Sequence, residues 1–319
     1  MKEFSFPRLN LNKLKTYSIK NRRNLVQVKQ FARIVPPGRD FNKFLESLPD
    51  LLAGRLWNRL IEAIVKARRN NRLVGVSLGA HVIKCGLSPV IIDLMKRGLI
   101  NAVALHGAGA IHDYEISLIG ATSEDVQANI KTGRFGMARE TAEVFNRAAR
   151  VACGYGKGLG QALGELILAD KNKYAGYSIL AAGRKLNLPI TVHVAFGTDT
   201  VHMHPGLSGA ALGEATLADF HKLISVVCHL NKGVWLNIGS AVILPEVFLK
   251  AVSVARNLGY RLNDFTTANL DMIQHYRPKM NVTGRPTPPG GEGISITGHH
   301  EIMLPLLRWS ILAKLKNSE

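Results

Sequence analysis

The sequence predicts an α/β protein built on a doubly wound, mainly parallel sheet, with a helical preface at its N-terminus. Three observations carry this reading. The stretch from Leu73 to Ile116 places two short apolar strands, VGVSL and AVAL, on either side of a helix pattern opened by Ser88-Pro89 and closed at Gly98, which is a βαβ unit. Strand and helix patterns then alternate to the C-terminus, and 319 residues with 46% hydrophobic content can bury one extended core. Each strand exits through a polar turn, and in open parallel sheets those exits form the edge where ligands bind.

Taken in order, residues 1–38 read as a basic arm and 39–319 as a single α/β domain. In the arm Lys2, Arg8, Lys13, Lys15, Lys20, Arg22, Arg23, Lys29 and Arg33 face only Glu3, and they supply much of the net charge of +18. Such a field attracts an acidic protein or nucleic acid. Asp40 caps a short helix, FNKFLESL, and a longer amphipathic helix runs from about Leu51 to Arg69 with Leu56, Trp57, Leu60 and Ile64 on one face. Lys66, Arg68, Arg69 and Arg72 crowd its end, where cations oppose the helix dipole.

Strands are expected near 73–78, 101–105, 189–194, 234–238, 264–268 and 294–297. Between the second and third, Ser123 is expected to cap a helix, EDVQANIK, and Met137 to Val151 forms another. Gly154-Tyr-Gly-Lys-Gly-Leu-Gly160 lacks the order of a phosphate-binding loop and has no strand before it, so it reads as a helix–helix connection. Helices are also expected from about Leu217 to His229, from Pro245-Glu246 to Asn257, and at the C-terminus. Residues 277–292 (RPKMNVTGRPTPPGGE) are rich in Pro and Gly, which predicts a loop covering the active edge or reaching a neighbouring subunit.

No apolar run approaches the ~18 to 20 residues that span a bilayer, and the basic N-terminus lacks the apolar centre of a secretory signal, so no membrane association and a cytoplasmic protein are expected. Cys85, Cys153 and Cys228 are far apart without C-x-x-C spacing, which supports neither a disulfide framework nor a cysteine zinc site.

If the sheet is parallel, the exits Gly79-Ala80-His81, His106-Gly107-Ala108-Gly109, Asp199 to His204, Gly239-Ser240, Asn269 to Asp271 and Gly298 to Glu301 converge on one edge. Gly107-Ala108-Gly109 begins like a dinucleotide fingerprint, but His112 holds the third glycine position; small residues there let backbone N–H groups approach a phosphate. His193, His202 and His204 suggest a second chemistry. In an extended segment His202 and His204 point the same way, and with Asp199, and with His106, His112, Asp113, His299, His300 or Glu301 nearby, they could bind zinc or another divalent metal that activates water. Ser240 lies in a strand-to-helix turn, but Asn-Ile-Gly-Ser-Ala is not a nucleophile elbow.

The run SPVIIDLMKRGLINAVALHGAGAIHDYEI, the segments LPITVHVAFGTD and VWLNIGSAVILPE, TTANLD at 266–271 and HHEIMLPLL at 299–307 resemble deoxyhypusine synthase, as ordered blocks over roughly residues 40 to 315. The resemblance implies a Rossmann-like core that binds NAD at the strand ends, an enzyme that transfers an aminobutyl group from spermidine to a lysine of a translation factor, and a homodimer or a dimer of dimers with sites at the dimer interface. By position it implies cofactor contacts at Gly79, Ala80, His81, Gly107, Ala108, Gly109, Asp199, Gly239, Ser240 and Asn269. His106, Asp199, His202, His204 and His299 are the catalytic candidates. Asp113, Asp271 and Glu301 are the candidates for holding an amine or polyamine. The family's catalytic lysine loop corresponds to residues 277–292, where only Lys279 occurs. An imine mechanism needs an amine nucleophile, so the expectation is deoxyhypusine-synthase-like, NAD-dependent transfer chemistry on an amine with a different reacting group. A metal-dependent enzyme, and a non-catalytic protein docking RNA or ribosomes through its arm, are the alternatives.

Overall fold

Among the described residues six strands, β1 (Val74–Leu78), β2 (Ala102–His106), β3 (Ile190–His193), β4 (Val234–Ile238), β5 (Thr266–Asp271) and β6 (Glu292–Thr297), pair in parallel throughout, in the order β3-β2-β1-β4-β5-β6. The structure, a computed structural model of the chain, describes residues 41–316; the basic arm expected at 1–38 and the cap expected at Asp40 lie outside them. The chain builds outward from β1 to β3, then crosses to β4 on the other side of β1. Between β1 and β4 the strand order therefore reverses, the place where doubly wound sheets open a crevice.

The helices are α1 (Phe41–Ser47), α2 (Leu52–Arg69), α3 (Ala80–Lys84), α4 (Ser88–Lys96), α5 (Gly107–Ile119), α6 (Val126–Ile130), α7 (Arg139–Gly154), α8 (Leu159–Ala169), α9 (Ile179–Lys185), α10 (Gly209–Val227), α11 (Ile243–Asn257), α12 (Tyr276–Asn281) and α13 (His300–Lys316). Alternation along the strands sorts them onto two faces. Val103 and Leu105 of β2, with Val234, Leu236 and Ile238 of β4, join a core shared with α2, α4, α5, α8, α9 and α13. Ala102, Ala104 and Trp235 join a second core with α10 and α11. The small residues have a purpose there: a Cβ on Gly75 would lie 2.3 Å from the Trp235 ring. The indole N–H donates to Ser77 Oγ (3.1 Å), and the ring stacks on Phe248 with centroids 4.9 Å apart.

Strand β3 is an edge, and α10 closes it with two side chains one turn apart. Thr216 Oγ1 donates to the Val192 carbonyl and accepts from the Val194 N–H (both 3.0 Å), and the Asp219 carboxylate accepts from the Val192 N–H (2.8 Å). These bonds replace the ladder a further strand would make. The same carboxylate accepts from Gly160 N–H at the start of α8 (2.9 Å), and its burial pushes its pKa up to about 7 against those donors. The glycine-rich 154–160 segment is thus the connection of α7 to α8, as its sequence suggests.

Three local expectations are corrected. The helix near residue 125 is capped by Asp125, whose carboxylate accepts from Ala128 N–H, and not by Ser123, which turns the chain at φ +70°. The fifth strand lies at 266–271, because Asn269 and Asp271, poor strand formers on their own, are buried and hydrogen-bonded there. Residues 277–292 are not one loop: α12 holds their start and β6 their end. What remains, 282–291, leads into a strand of a parallel sheet and so lies at the amino edge, opposite the strand exits. It packs on its own chain, with Arg256 donating to the Pro286 carbonyl (2.7 Å) and Thr287 bonded to Thr267 (2.7 Å). It is not a cover for the active edge.

Candidate active site

The strand exits meet in two groups. At the β1–β4 crevice, Gly79 N–H donates to the Ile238 carbonyl (2.8 Å), and a Cβ on Gly79 would lie 2.0 Å from the Gly239 carbonyl oxygen. Gly239 has φ +69°, and a Cβ on it would meet His300 Nε2 at 2.7 Å. Both glycines are thus required by the packing of one exit against the next. Beside them Asn237 Nδ2 donates to the Ser240 carbonyl (2.9 Å) and to Asn269 Oδ1 (2.7 Å), while Asn269 Nδ2 donates to Gln274 (2.7 Å). His300 is buried with Nε2 3.8 Å from Asp271 Oδ1, and burial holds its pKa below the usual histidine value despite that carboxylate. Asn237 Oδ1 and His300 Nδ1 are buried without hydrogen-bond partners. His81, 6.2 Å from the His300 ring by centroids, is exposed, as are His299 and Glu301.

The second group lies beyond the ends of β2 and β3. His106 Nε2 accepts from Ala80 N–H (3.2 Å), so the ring is neutral with its proton on Nδ1; burial, aided by His112, presses its pKa down to about 4. The Asp199 carboxylate turns to the start of α5, accepts from Ala108 N–H and from the His202 N–H it caps, and leaves Oδ2 buried without a partner. Burial raises its pKa to about 6. The space a side chain on Gly107 would need is filled by this carboxylate, so Gly107 and Ala108 hold an in-chain anion and not a cofactor phosphate. Gly109 has only ordinary van der Waals neighbours for a Cβ and no such constraint.

From Asp199 a cleft of about 530 Å³ opens along α5. One wall is apolar (Ile111, Ile119, Val126, Phe135); the polar lining is Glu115, Glu124 and Asp199 against Lys84, with His112 and Thr122 between. In a chain of net charge +18 this lining is acidic. Glu124 is occupied by Gly136 N–H and Asn129. Glu115 accepts from Thr122 Oγ1 (2.5 Å) and Thr141 Oγ1 (3.2 Å), and His112 Nδ1 lies 2.7 Å from Thr122 Oγ1. Burial alone would raise the Glu115 pKa; the hydrogen bonds from His112, Thr122 and Thr141 outweigh it and lower it. Sequence reasoning missed Glu115, Thr122 and Thr141. The signal for Glu115 was the His112 to Glu115 spacing, i to i+3 on one helix face.

Two expectations do not survive. His193, His202 and His204 form no metal site: His193 is buried and bonded to Thr191 (2.9 Å), His204 Nε2 meets the Gly136 carbonyl (3.0 Å), and His202 Nδ1 accepts from Gly197 and Asp199 N–H. The reason is local. Residues 200–203 wind into a 3-10 turn, so side chains two apart diverge where an extended segment would align them. Among the described residues no group of three or more His, Cys, Asp or Glu could hold a metal ion. Asp113 does not face the cleft either. Fully buried, it accepts from Ser178 Oγ (2.5 Å), Ile179 N–H (2.7 Å) and Leu180 N–H (3.2 Å), which ties α5 to the start of α9.

No family model and no curated protein matches the sequence. Solved structures do share the fold. A protein described as LOR/SDH from Methanococcus maripaludis S2 is 16% identical with a TM-score of 0.52, over 89% of this chain and 75% of that one. AgrE, solved in a ternary complex with ornithine and NAD+, is 13% identical with a TM-score of 0.52 over 84% of this chain, which spans only 35% of AgrE. A protein described as a deoxyhypusine synthase from Entamoeba histolytica is 11% identical with a TM-score of 0.50, over 86% of this chain and 94% of that one. At these identities the likeness is one of fold. Among the described residues no helix is long and apolar enough to cross a membrane.

Proposed function

We propose that the chain is an NAD-linked enzyme acting on a cationic amine, with the amine in the cleft along α5 and the dinucleotide along the strand exits. The observation that carries this is Asp199: a buried carboxylate with one unpartnered oxygen, at the head of an acidic, half-apolar cleft in a strongly basic chain. One oxygen of that carboxylate is left without a hydrogen bond, which is costly unless a donor completes it, and an ammonium or amine N–H does so. The apolar wall suits the methylene chain of a diamine or polyamine.

For the cofactor, Asn237 Oδ1 and His300 Nδ1 are two buried atoms without partners at the β1–β4 crevice, where dinucleotides bind in this topology. Ser240, Asn269 and the Gly79 to His81 turn would hold it there, and when bound it supplies acceptance of a hydride from carbon. The phosphates have no place at Gly107, where Asp199 already caps the helix. AgrE, which shares the fold over 35% of its length, is solved with ornithine and NAD+. The lysine loop of the resembled family has no counterpart at this edge, so transfer through a lysine imine is not part of the proposal. The test is calorimetric titration of NAD+ into the full chain. Saturable binding is expected, and N237A/H300A should weaken it tenfold or more; absence of any binding would overturn the cofactor assignment.

A further inference from the structure

The wall of the cleft contains a three-residue relay that fixes which nitrogen of His112 is basic. Glu115 is ionised, so its oxygens only accept. Thr122 has a single hydroxyl proton, and it goes to Glu115 Oε2 at 2.5 Å. Thr122 Oγ1 can therefore only accept from His112 Nδ1, 2.7 Å away, which requires the tautomer with hydrogen on Nδ1. Nε2 then bears the lone pair. Among the described residues it has no hydrogen-bond partner, and His112 lines the cleft that also holds Asp199. The turn that closes the relay is built for it: α5 ends at Gly120 in the left-handed conformation, φ +73°, which brings Thr122 back over the helix beside His112.

We propose that His112 is the catalytic base of the amine site, and that Thr122 and Glu115 are its positioning residues; the proposal rests on the amine reading above. The step is a proton transfer. Nε2 takes a proton from the ammonium form of the substrate, the N–H electron pair stays on nitrogen as the lone pair, and the imidazole becomes imidazolium. That lone pair is what a neighbouring carbon needs in order to release a hydride. The new positive charge is met through Nδ1–H by Thr122 and by the Glu115 carboxylate, 3.8 Å from Nδ1. The other titratable groups that line the cleft are Lys84, Glu124 and Asp199, His106 lies within electrostatic reach of the ring, and Asp199 holds the substrate nitrogen in place during the transfer. The arrangement has the logic of a base oriented by a third group.

The test begins without any ligand. Long-range 1H–15N correlation spectra of protein labelled at histidine nitrogens, at a pH where His112 is neutral, report its tautomer. Wild type is expected to carry the proton on Nδ1, the reverse of the preference of free histidine. T122V should shift it toward Nε2 and T122S should restore it. Wild type with the proton on Nε2, or a T122V spectrum unchanged from wild type, would overturn the relay whatever the substrate. The second arm is kinetic. H112Q should still bind a diamine by calorimetry but lose 100-fold or more of amine-dependent NAD+ reduction, in line with general-base contributions. Full activity in H112Q would overturn the role of base. An intact tautomer in a protein that binds no amine would instead refute the functional reading on which it rests.

Discussion

The Asp199 carboxylate fills the place of a side chain at Gly107: a Cβ there would lie 1.9 Å from Oδ2. This contact joins the end of β3 to the start of α5 and sets the charge at the head of the cleft. G107A must push the carboxylate away, so it should cost about 1–3 kcal/mol of stability by overpacking and weaken diamine binding as D199N does. Thermal melts and calorimetry on the two variants check this. A G107A protein with native stability and affinity would show that the contact is not what forms the site.

Asp113 is expected to act on folding alone. D113A leaves Ile179 and Leu180 N–H and Ser178 without their acceptor inside the core, a loss of about 2–4 kcal/mol. Denaturant unfolding should show that loss, while the affinity of the folded fraction for ligand stays unchanged.

Histidine burial gives a pH signature. His193 and His106 have pKa values pressed by burial to about 3 and about 4, below the ordinary 6.5. Their contribution to stability is complete above 6.5 and is lost as pH falls through those folded values. Asp113, Asp199 and Asp219 oppose them: burial raises their pKa to about 6, 6 and 7, so their contribution is complete below the ordinary 3.8 and is lost as pH rises through 6 to 7. Proton NMR isolates the histidines. The His193 ring should stay in its neutral form down to about pH 5, and a midpoint near 6.5 would contradict its placement.

Edge protection by α10 yields another variant. D219A removes the acceptor of Val192 N–H on the open side of β3 and of Gly160 N–H at α8. It should destabilise by about 2–4 kcal/mol and raise aggregation on partial unfolding, as an uncovered edge does. Light scattering during thermal ramps measures the second effect; a monodisperse D219A would count against it.

Much of this architecture is legible in the sequence because strand bodies and exits differ so sharply in polarity. VGVSL and VWLNI are apolar runs ended by glycine turns, and parallel pairing brings Asp199, His106, Ser240 and Asn269 to one edge. The site itself was harder to read. Glu115, Thr122 and Thr141 meet only because Gly120 reverses the chain and α7 packs on α5, and neither event leaves a local pattern. Asp113 looks like a site carboxylate until Ser178, distant in sequence, is placed against it. His202 and His204 misled because their alignment assumed extended backbone where a 3-10 turn forms. Residues 277–292 read as a single covering loop on composition alone, and composition says nothing of which sheet edge a loop occupies.

The central claim is that an amine bound at Asp199 delivers a hydride to NAD+, and one measurement addresses it most directly. Purified full-length protein is mixed with NAD+ and a panel of amines, spermidine, putrescine and ornithine among them, and NADH is followed by its absorbance and fluorescence through a single turnover. The account predicts NADH that appears only when an amine is present, and that falls sharply in D199N and in H112Q. No amine-dependent NADH from wild-type protein that demonstrably binds NAD+, or an equal yield from D199N, would contradict it.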